Sequence, residues 1–193
     1  MRRLAVYCGS SPGGDPAFAD TARALGNEMV ARGIGLVFGG GHIGLMGTIA
    51  DTVLAAGGEA VGVIPTALRD KELAHKTCTE LHIVSTMHER KALMADLADG
   101  FIAMPGGFGT LDEMFEMLTW SQLGYHPKPC GFLNVVGYYD ALFTFLDSCV
   151  EARFVTQVHR DMIIAASEPG ALLDEIACFR PPDQAKWLDR FDL

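Results

Sequence analysis

Apolar residues come along this chain in short, nearly unbroken runs, separated by longer stretches of mixed character. Six runs have strand length: LAVYC (4–8), GLVFG (35–39), AVGVI (60–64), LHIVS (81–85), GFIAM (100–104) and CGFLN (130–134). Their continuity, in place of apolar–polar alternation, fits buried strands of a parallel sheet covered on both faces. Helical patterns are expected near 16–32, 45–56, 86–98, 110–123 and 138–152, and the run MIIAA followed by a helix over 168–178 adds a last strand–helix pair. Strand–helix alternation of this kind predicts an α/β three-layer sandwich with right-handed crossovers and a mostly parallel sheet of about seven strands. No linker or repeat divides the chain, which reads as one domain over 1–180 and a polar, Pro-rich C-terminal arm over 181–193.

Ligands in such sheets bind outside the carboxyl ends of the strands. Three glycine-rich loops fall there: CGSSPGGD after the first strand, FGGGHIGLMG after the second and MPGGFGTLDE after the fifth. One would be ordinary turn chemistry, whereas three on one edge suggest a pocket. The second loop matches G-x-G-x-x-G at Gly39, Gly41 and Gly44, but in the wrong context for a dinucleotide. It follows the second strand, and the next strand ends at Pro65 without an acid for a ribose hydroxyl. There is no G-x-x-x-x-G-K-[ST] either. What survives is a supply of backbone N–H groups and a helix N-terminus suited to an anion such as phosphate.

In MPGGFGTLDE, Thr110 as N-cap and Glu113 at the third helical position form a T-x-x-E capping box. That explains both residues with no ligand. It does not explain Gly106, Gly107 and Gly109, whose bare backbone lets a phosphate approach the helix N-terminus. The residues alone leave both readings open. In STMHERKALMADLADG, Thr86 and Glu89 form a second capping box, and Arg90 and Lys91 stand early on the helix, where the macrodipole disfavours cations. They are either a solvated basic pair or a pair compensated by an anionic ligand or nearby carboxylates. The dipole by itself makes Arg90 expendable to stability. The rest of that helix is apolar at Leu93, Met94 and Leu97, and the helix over 110–123 carries Leu111, Met114, Phe115, Met117, Leu118 and Trp120 on more than one stripe. Such helices are deeply buried or shared with a partner subunit.

A formal charge of −9 argues against nucleic-acid binding, which needs basic surface to neutralise phosphates, while leaving room for a small phosphorylated ligand. The five cysteines, Cys8, Cys78, Cys130, Cys149 and Cys178, are scattered and form no C-x-x-C pair; Cys8, Cys130 and Cys149 read as small buried hydrophobes in a reducing compartment. The apolar run at the start is too short for a signal peptide or a membrane span, so a cytoplasmic protein without a membrane partner is expected. The six histidines show no metal-ligand spacing, and neither metal nor cofactor is expected.

Taken together, VYCGSSPG, GGGHIGLMG, MHERK, PGGFGTLDE, TWSQLGYHPKPCGFLN and GYYDAL resemble the LOG (LONELY GUY) family over roughly residues 4–155. These are cytokinin riboside 5′-monophosphate phosphoribohydrolases, long labelled lysine decarboxylase-like. The pairing of MHERK with P-G-G-x-G-T-x-x-E is specific to the family and its near relatives, and neither motif departs from the pattern. The resemblance implies a Rossmann-like fold and a homodimer, or a multiple of dimers, with the site near the interface. It also implies hydrolysis of the N-glycosidic bond of adenosine 5′-monophosphate, plain or N6-substituted. The products are adenine or a free cytokinin base, and ribose 5-phosphate. Arg90 and Glu113 match the positions held to be catalytic. Glu72 in LRDKEL, Lys91, Gly107, Phe108, Gly109, Thr110 and Thr119 match substrate-binding positions, and Gly106, Gly41 and Ser10 complete the substrate-binding set. A decarboxylase would need an electron sink such as pyridoxal phosphate, for which no residue pattern speaks. A non-catalytic nucleotide binder or carrier of the same fold is the alternative; the Arg90–Glu113 pair favours the enzyme.

Overall fold

The computed structural model describes residues 1–71 and 73–182. Its strands are β1 (Arg3–Tyr7), β2 (Gly35–Phe38), β3 (Ala60–Pro65), β4 (Glu80–Val84), β5 (Phe101–Ala103), β6 (Cys130–Leu133) and β7 (Ile163–Ala166). They form one sheet in the order β4-β3-β2-β1-β5-β6-β7, with every neighbouring pair parallel. The chain steps outward from β1 to β4, then crosses back to lay β5 on the other side of β1. That reversal is the topological switch point, where the flanking loops diverge and leave a crevice.

Helices α1 (Pro16–Ala31), α2 (Gly44–Ala55) and α8 (Pro169–Cys178) cover one face; α4 (Met87–Leu97), α5 (Phe108–Gln122) and α6 (Asp140–Glu151) cover the other. Strand β1 shows why both faces are apolar. Leu4 and Val6 pack toward α1 and α2, while Ala5 and Tyr7 pack toward α4 and α5, and all four are buried. Each large side chain so buried is worth about 1.5–3 kcal/mol. Helix starts follow local chemistry. The Asp15 side chain caps α1 by accepting from Ala17 N at 2.9 Å, and Pro16 fills the first helical position. Thr86 caps α4 by accepting from Glu89 N at 3.1 Å, and Glu89 reaches back to accept from Ser85 N at 2.8 Å. The expected capping box is therefore present there, its glutamate one residue further back than the usual partner.

One expectation changes, and two short elements are new. LHIVS reads as a buried strand, but β4 is a sheet edge and Ile83 is 47% exposed. The single-turn helices α3 (Thr66–Arg69) and α7 (Gln157–Arg160) are too short to show a period in the sequence. All five cysteines are free, with Cys8 and Cys130 buried as expected and Cys149 partly so. Residues 183–193 of the expected arm lie outside the described residues. Among the described residues, no helix is long and apolar enough to cross a membrane.

Candidate active site

A cleft of about 380 Å³ opens over the carboxyl ends of β1, β2, β3 and β5. The glycine-rich loops that form it are joined backbone to backbone. Gly9 N donates to Pro105 O, and Leu45 N, at the start of α2, donates to Gly9 O, both at 3.0 Å. Gly44 has φ +61°, and a Cβ there would stand 2.3 Å from the Ser10 carbonyl carbon, so no other residue fits that approach. At Gly39 a Cβ would fall 1.8 Å from Arg90 Nη2. Two of the three glycines in the G-x-G-x-x-G match thus serve packing within the protein rather than a dinucleotide.

The capping box expected at Thr110 and Glu113 does not form. Helix α5 starts at Phe108 with Gly107 as its N-cap and no side-chain cap bond, which puts Thr110 inside the first turn. Gly106 permits this earlier start: a Cβ on it would lie 2.1 Å from Thr110 Oγ1, so the buried threonine packs directly onto bare backbone. Gly107, Phe108 and Gly109 are exposed at the cleft, and the first-turn N–H groups are left for a ligand. An uncapped helix N-terminus with its dipole pointing into a cleft suits an anion.

Glu113 faces α4 instead of its own helix start. Its Oε1 lies 3.0 Å from Arg90 Nη1, and both residues are buried, at 7% and 8% exposure. Arg90 Nε also donates to Val63 O at 3.1 Å, which fixes the guanidinium across the end of β3. Burial pushes the Glu113 carboxyl above its ordinary range, and the opposing pull of Arg90 does not cancel that. Lys91, next along α4, is buried as well, its Nζ 3.0 Å from Asp112 Oδ2 and 3.2 Å from Glu116 Oε2. Arg90 and Lys91 are therefore not a solvated basic pair: carboxylates on α5 compensate both. Removing Arg90 would leave Glu113 buried and unpaired, so its expendability to stability, expected from the dipole alone, does not hold.

Of the sequence-derived residues, Ser10, Gly41, Arg90, Gly107, Phe108, Gly109, Thr110 and Glu113 meet around the cleft. Gly106 lines a neighbouring recess. Lys91 lies beneath, bound to its carboxylates, and does not line the cleft. Thr119 sits two turns further along α5, exposed, with Oγ1 donating to Phe115 O at 2.7 Å, beside a separate crevice. Glu72 lies outside the described residues. The cleft wall also includes Ile43, Met46, Ile64, Leu68 and Leu73, which sequence reasoning did not single out because apolar residues near strand ends read as core. Arg90 and Glu113 are the only Asp, Glu, Lys or Arg among the described lining residues. Among the described residues no group of three or more His, Cys, Asp or Glu gathers where it could hold a metal ion.

Sheet order and layering define the class: a doubly wound, all-parallel α/β protein of Rossmann-like architecture, with its cleft at the switch point. A family model described as "Possible lysine decarboxylase" matches residues 46–176. Cytokinin riboside 5′-monophosphate phosphoribohydrolase LOG3 of Arabidopsis thaliana is 46% identical over 181 residues, covering 94% of this chain and 84% of that protein. The probable phosphoribohydrolase LOGL6 of Oryza sativa subsp. japonica is also 46% identical, covering 94% of this chain and 72% of its own. The chain belongs to this family, the LOG phosphoribohydrolases and their lysine decarboxylase-like relatives. Among solved structures, the molybdenum cofactor binding protein of Rippkaea orientalis superposes with a TM-score of 0.71 at 20% identity, covering 92% of this chain and 96% of that one. The molybdenum cofactor carrier protein of Chlamydomonas reinhardtii gives 0.68 at 18% identity, covering 93% and 99%. At such identity these two matches speak for the fold alone.

Proposed function

We propose that this protein hydrolyses the N-glycosidic bond of adenosine 5′-monophosphate or its N6-substituted forms, releasing the free base and ribose 5-phosphate. The observation that carries this reading is the buried Arg90–Glu113 pair beside the uncapped start of α5. Breaking the C1′–N9 bond builds positive charge on the ribose, which the Glu113 carboxylate stabilises. A carboxyl raised by burial is also a better acceptor for the proton of the attacking water. Water delivers its hydroxyl to C1′, and a proton ends on the departing base. The N–H groups of Gly107, Phe108, Gly109 and Thr110 hold the 5′-phosphate, so that binding far from the reacting bond positions it for attack. Arg90 holds Glu113 in place and contacts the ribose or phosphate. The apolar wall from Ile43 to Leu73 accommodates the base.

LOG3 is named a cytokinin riboside 5′-monophosphate phosphoribohydrolase and LOGL6 a probable one, which supports the same chemistry here. A homodimer is part of the proposal. Met94, Met114 and Met117 are fully buried within one subunit and do not argue for it, whereas Leu93, Leu97, Leu111, Leu118 and Trp120 stay only partly covered on the same two helices.

Incubation with AMP, with N6-isopentenyl-AMP and with adenosine, followed by chromatography of the free base, tests the reading. Base is expected from both monophosphates, and kcat/KM for adenosine should be lower by at least about 100-fold, given the remote binding lost with the phosphate. Binding of AMP without base release would leave the protein a carrier.

A further inference from the structure

Two consecutive tyrosines after β6 reach the loop that leads into α5. Tyr139 Oη donates to Met104 O at 2.6 Å, and Tyr138 Oη donates to Gly106 O at 2.7 Å. Tyr139 is buried and pins the end of the strand. Tyr138 is 46% exposed, with its ring edge-on to Phe18 at 5.6 Å, so water could satisfy its hydroxyl. It binds a loop carbonyl instead.

The turn that aims these side chains is strained. Val136, a β-branched residue, has φ 45° and ψ 34°, a left-handed conformation that L side chains avoid. Asn134 holds the turn closed: its Oδ1 accepts from Tyr139 N and its Nδ2 donates to Asp140 Oδ1, both at 2.7 Å. Strain of this kind persists where the surroundings overdetermine it, and it gathers at functional sites.

Peptide planarity supplies the consequence. The described chain has no cis peptide bond, so each C=O and the following N–H point in opposite directions. Tyr138 and Gly106 line a recess behind the loop and not the cleft; Gly107 lines both. Holding the Gly106 carbonyl toward Tyr138 therefore turns the Gly107 N–H away from Tyr138, at a residue that lines the cleft. Among the described residues that N–H has no acceptor.

From this geometry we infer that Tyr138 is a positioning residue for phosphate recognition. Its hydroxyl sets the Gly106–Gly107 peptide so that the Gly107 N–H joins the first turn of α5 in holding the 5′-phosphate. Without that anchor, two adjacent glycines leave the peptide free to rotate. The inference deepens the phosphate-bearing substrate proposed above and rests on it.

Tyr138→Phe keeps the ring against Phe18 and removes only the hydroxyl. In the full chain, calorimetric Kd values for ribose 5-phosphate and adenosine are compared with steady-state turnover of AMP. The variant should bind ribose 5-phosphate about 10-fold more weakly and adenosine within about 2-fold of the wild type, the scale of one lost hydrogen bond to an anion-binding peptide. KM for AMP should rise by a similar factor with kcat nearly unchanged. Unchanged ribose 5-phosphate affinity, an equal loss for both ligands, or a fall in kcat alone would each overturn the assignment. A wild type that binds ribose 5-phosphate but releases no base refutes the hydrolase and still lets binding decide the role of Tyr138. A wild type that releases base yet does not bind ribose 5-phosphate keeps the hydrolase and overturns the role of Tyr138.

Discussion

Glu113→Gln removes one negative charge from a buried pair and changes almost nothing else. The amide still stands opposite Arg90 Nη1, which lies 3.0 Å from the carboxylate. An ion pair becomes a contact between a charge and a neutral dipole, a loss of about 1–2 kcal/mol. Against this, the amide does not have to bury a charge, and burial is what pushes the Glu113 carboxyl above its ordinary value of 4.5. A carboxyl with a raised folded pKa binds its proton more tightly folded than unfolded. Its contribution is present in full below pH 4.5 and is lost as pH rises through the folded pKa. Gln does not titrate. The stability advantage of the wild type over Glu113→Gln should therefore be largest below pH 4.5 and shrink as the pH is raised. Urea unfolding of both proteins across pH measures this directly. AMP should still bind the variant, while kcat falls by a factor on the order of 10²–10⁴. If the advantage grows with pH, Arg90 outweighs burial and the raised carboxyl is wrong. If the variant keeps full activity, Glu113 is not the group that does the chemistry.

Two further outcomes are expected. Gly39→Ala places a methyl where Arg90 Nη2 now lies, 1.8 Å away, so the guanidinium must move. The cost should be about 1–3 kcal/mol of stability and about 100-fold in kcat; wild-type turnover would mean that the position of Arg90 is immaterial. Sedimentation at micromolar concentration should show a dimer or a multiple of dimers, and a monomer alone would refute the proposed interface.

The seven strands and the long helices were legible because continuous apolar runs and their spacing survive any detail of packing. The start of α5 was not. T-x-x-E is a good capping signal at Thr110, but a glycine N-cap leaves no side-chain mark, and the contact between Gly106 and Thr110 depends on the folded loop. Arg90 and Lys91 look solvated in isolation because their partners, Glu113, Asp112 and Glu116, come from another helix. The edge position of β4 follows from strand order, which apolar runs do not encode. Tyr138 was visible only as part of a motif, since its link to Gly106 spans 32 residues of sequence.

The pairing inside the cleft also bears on how fast a substrate can arrive. With Arg90 matched to Glu113 and no other Asp, Glu, Lys or Arg among the described lining residues, the cleft carries no net formal charge, while the protein as a whole carries −9. A phosphate dianion approaching from a distance meets repulsion, and attraction begins only within reach of the α5 N–H groups. Charge on the surface then works as a brake on encounter instead of a guide. Raising ionic strength shortens the range of that repulsion to the Debye length, about 8 Å near physiological salt. Association should therefore speed up with added salt, the reverse of enzymes that steer anions into basic funnels, until ions begin to compete for the helix terminus itself.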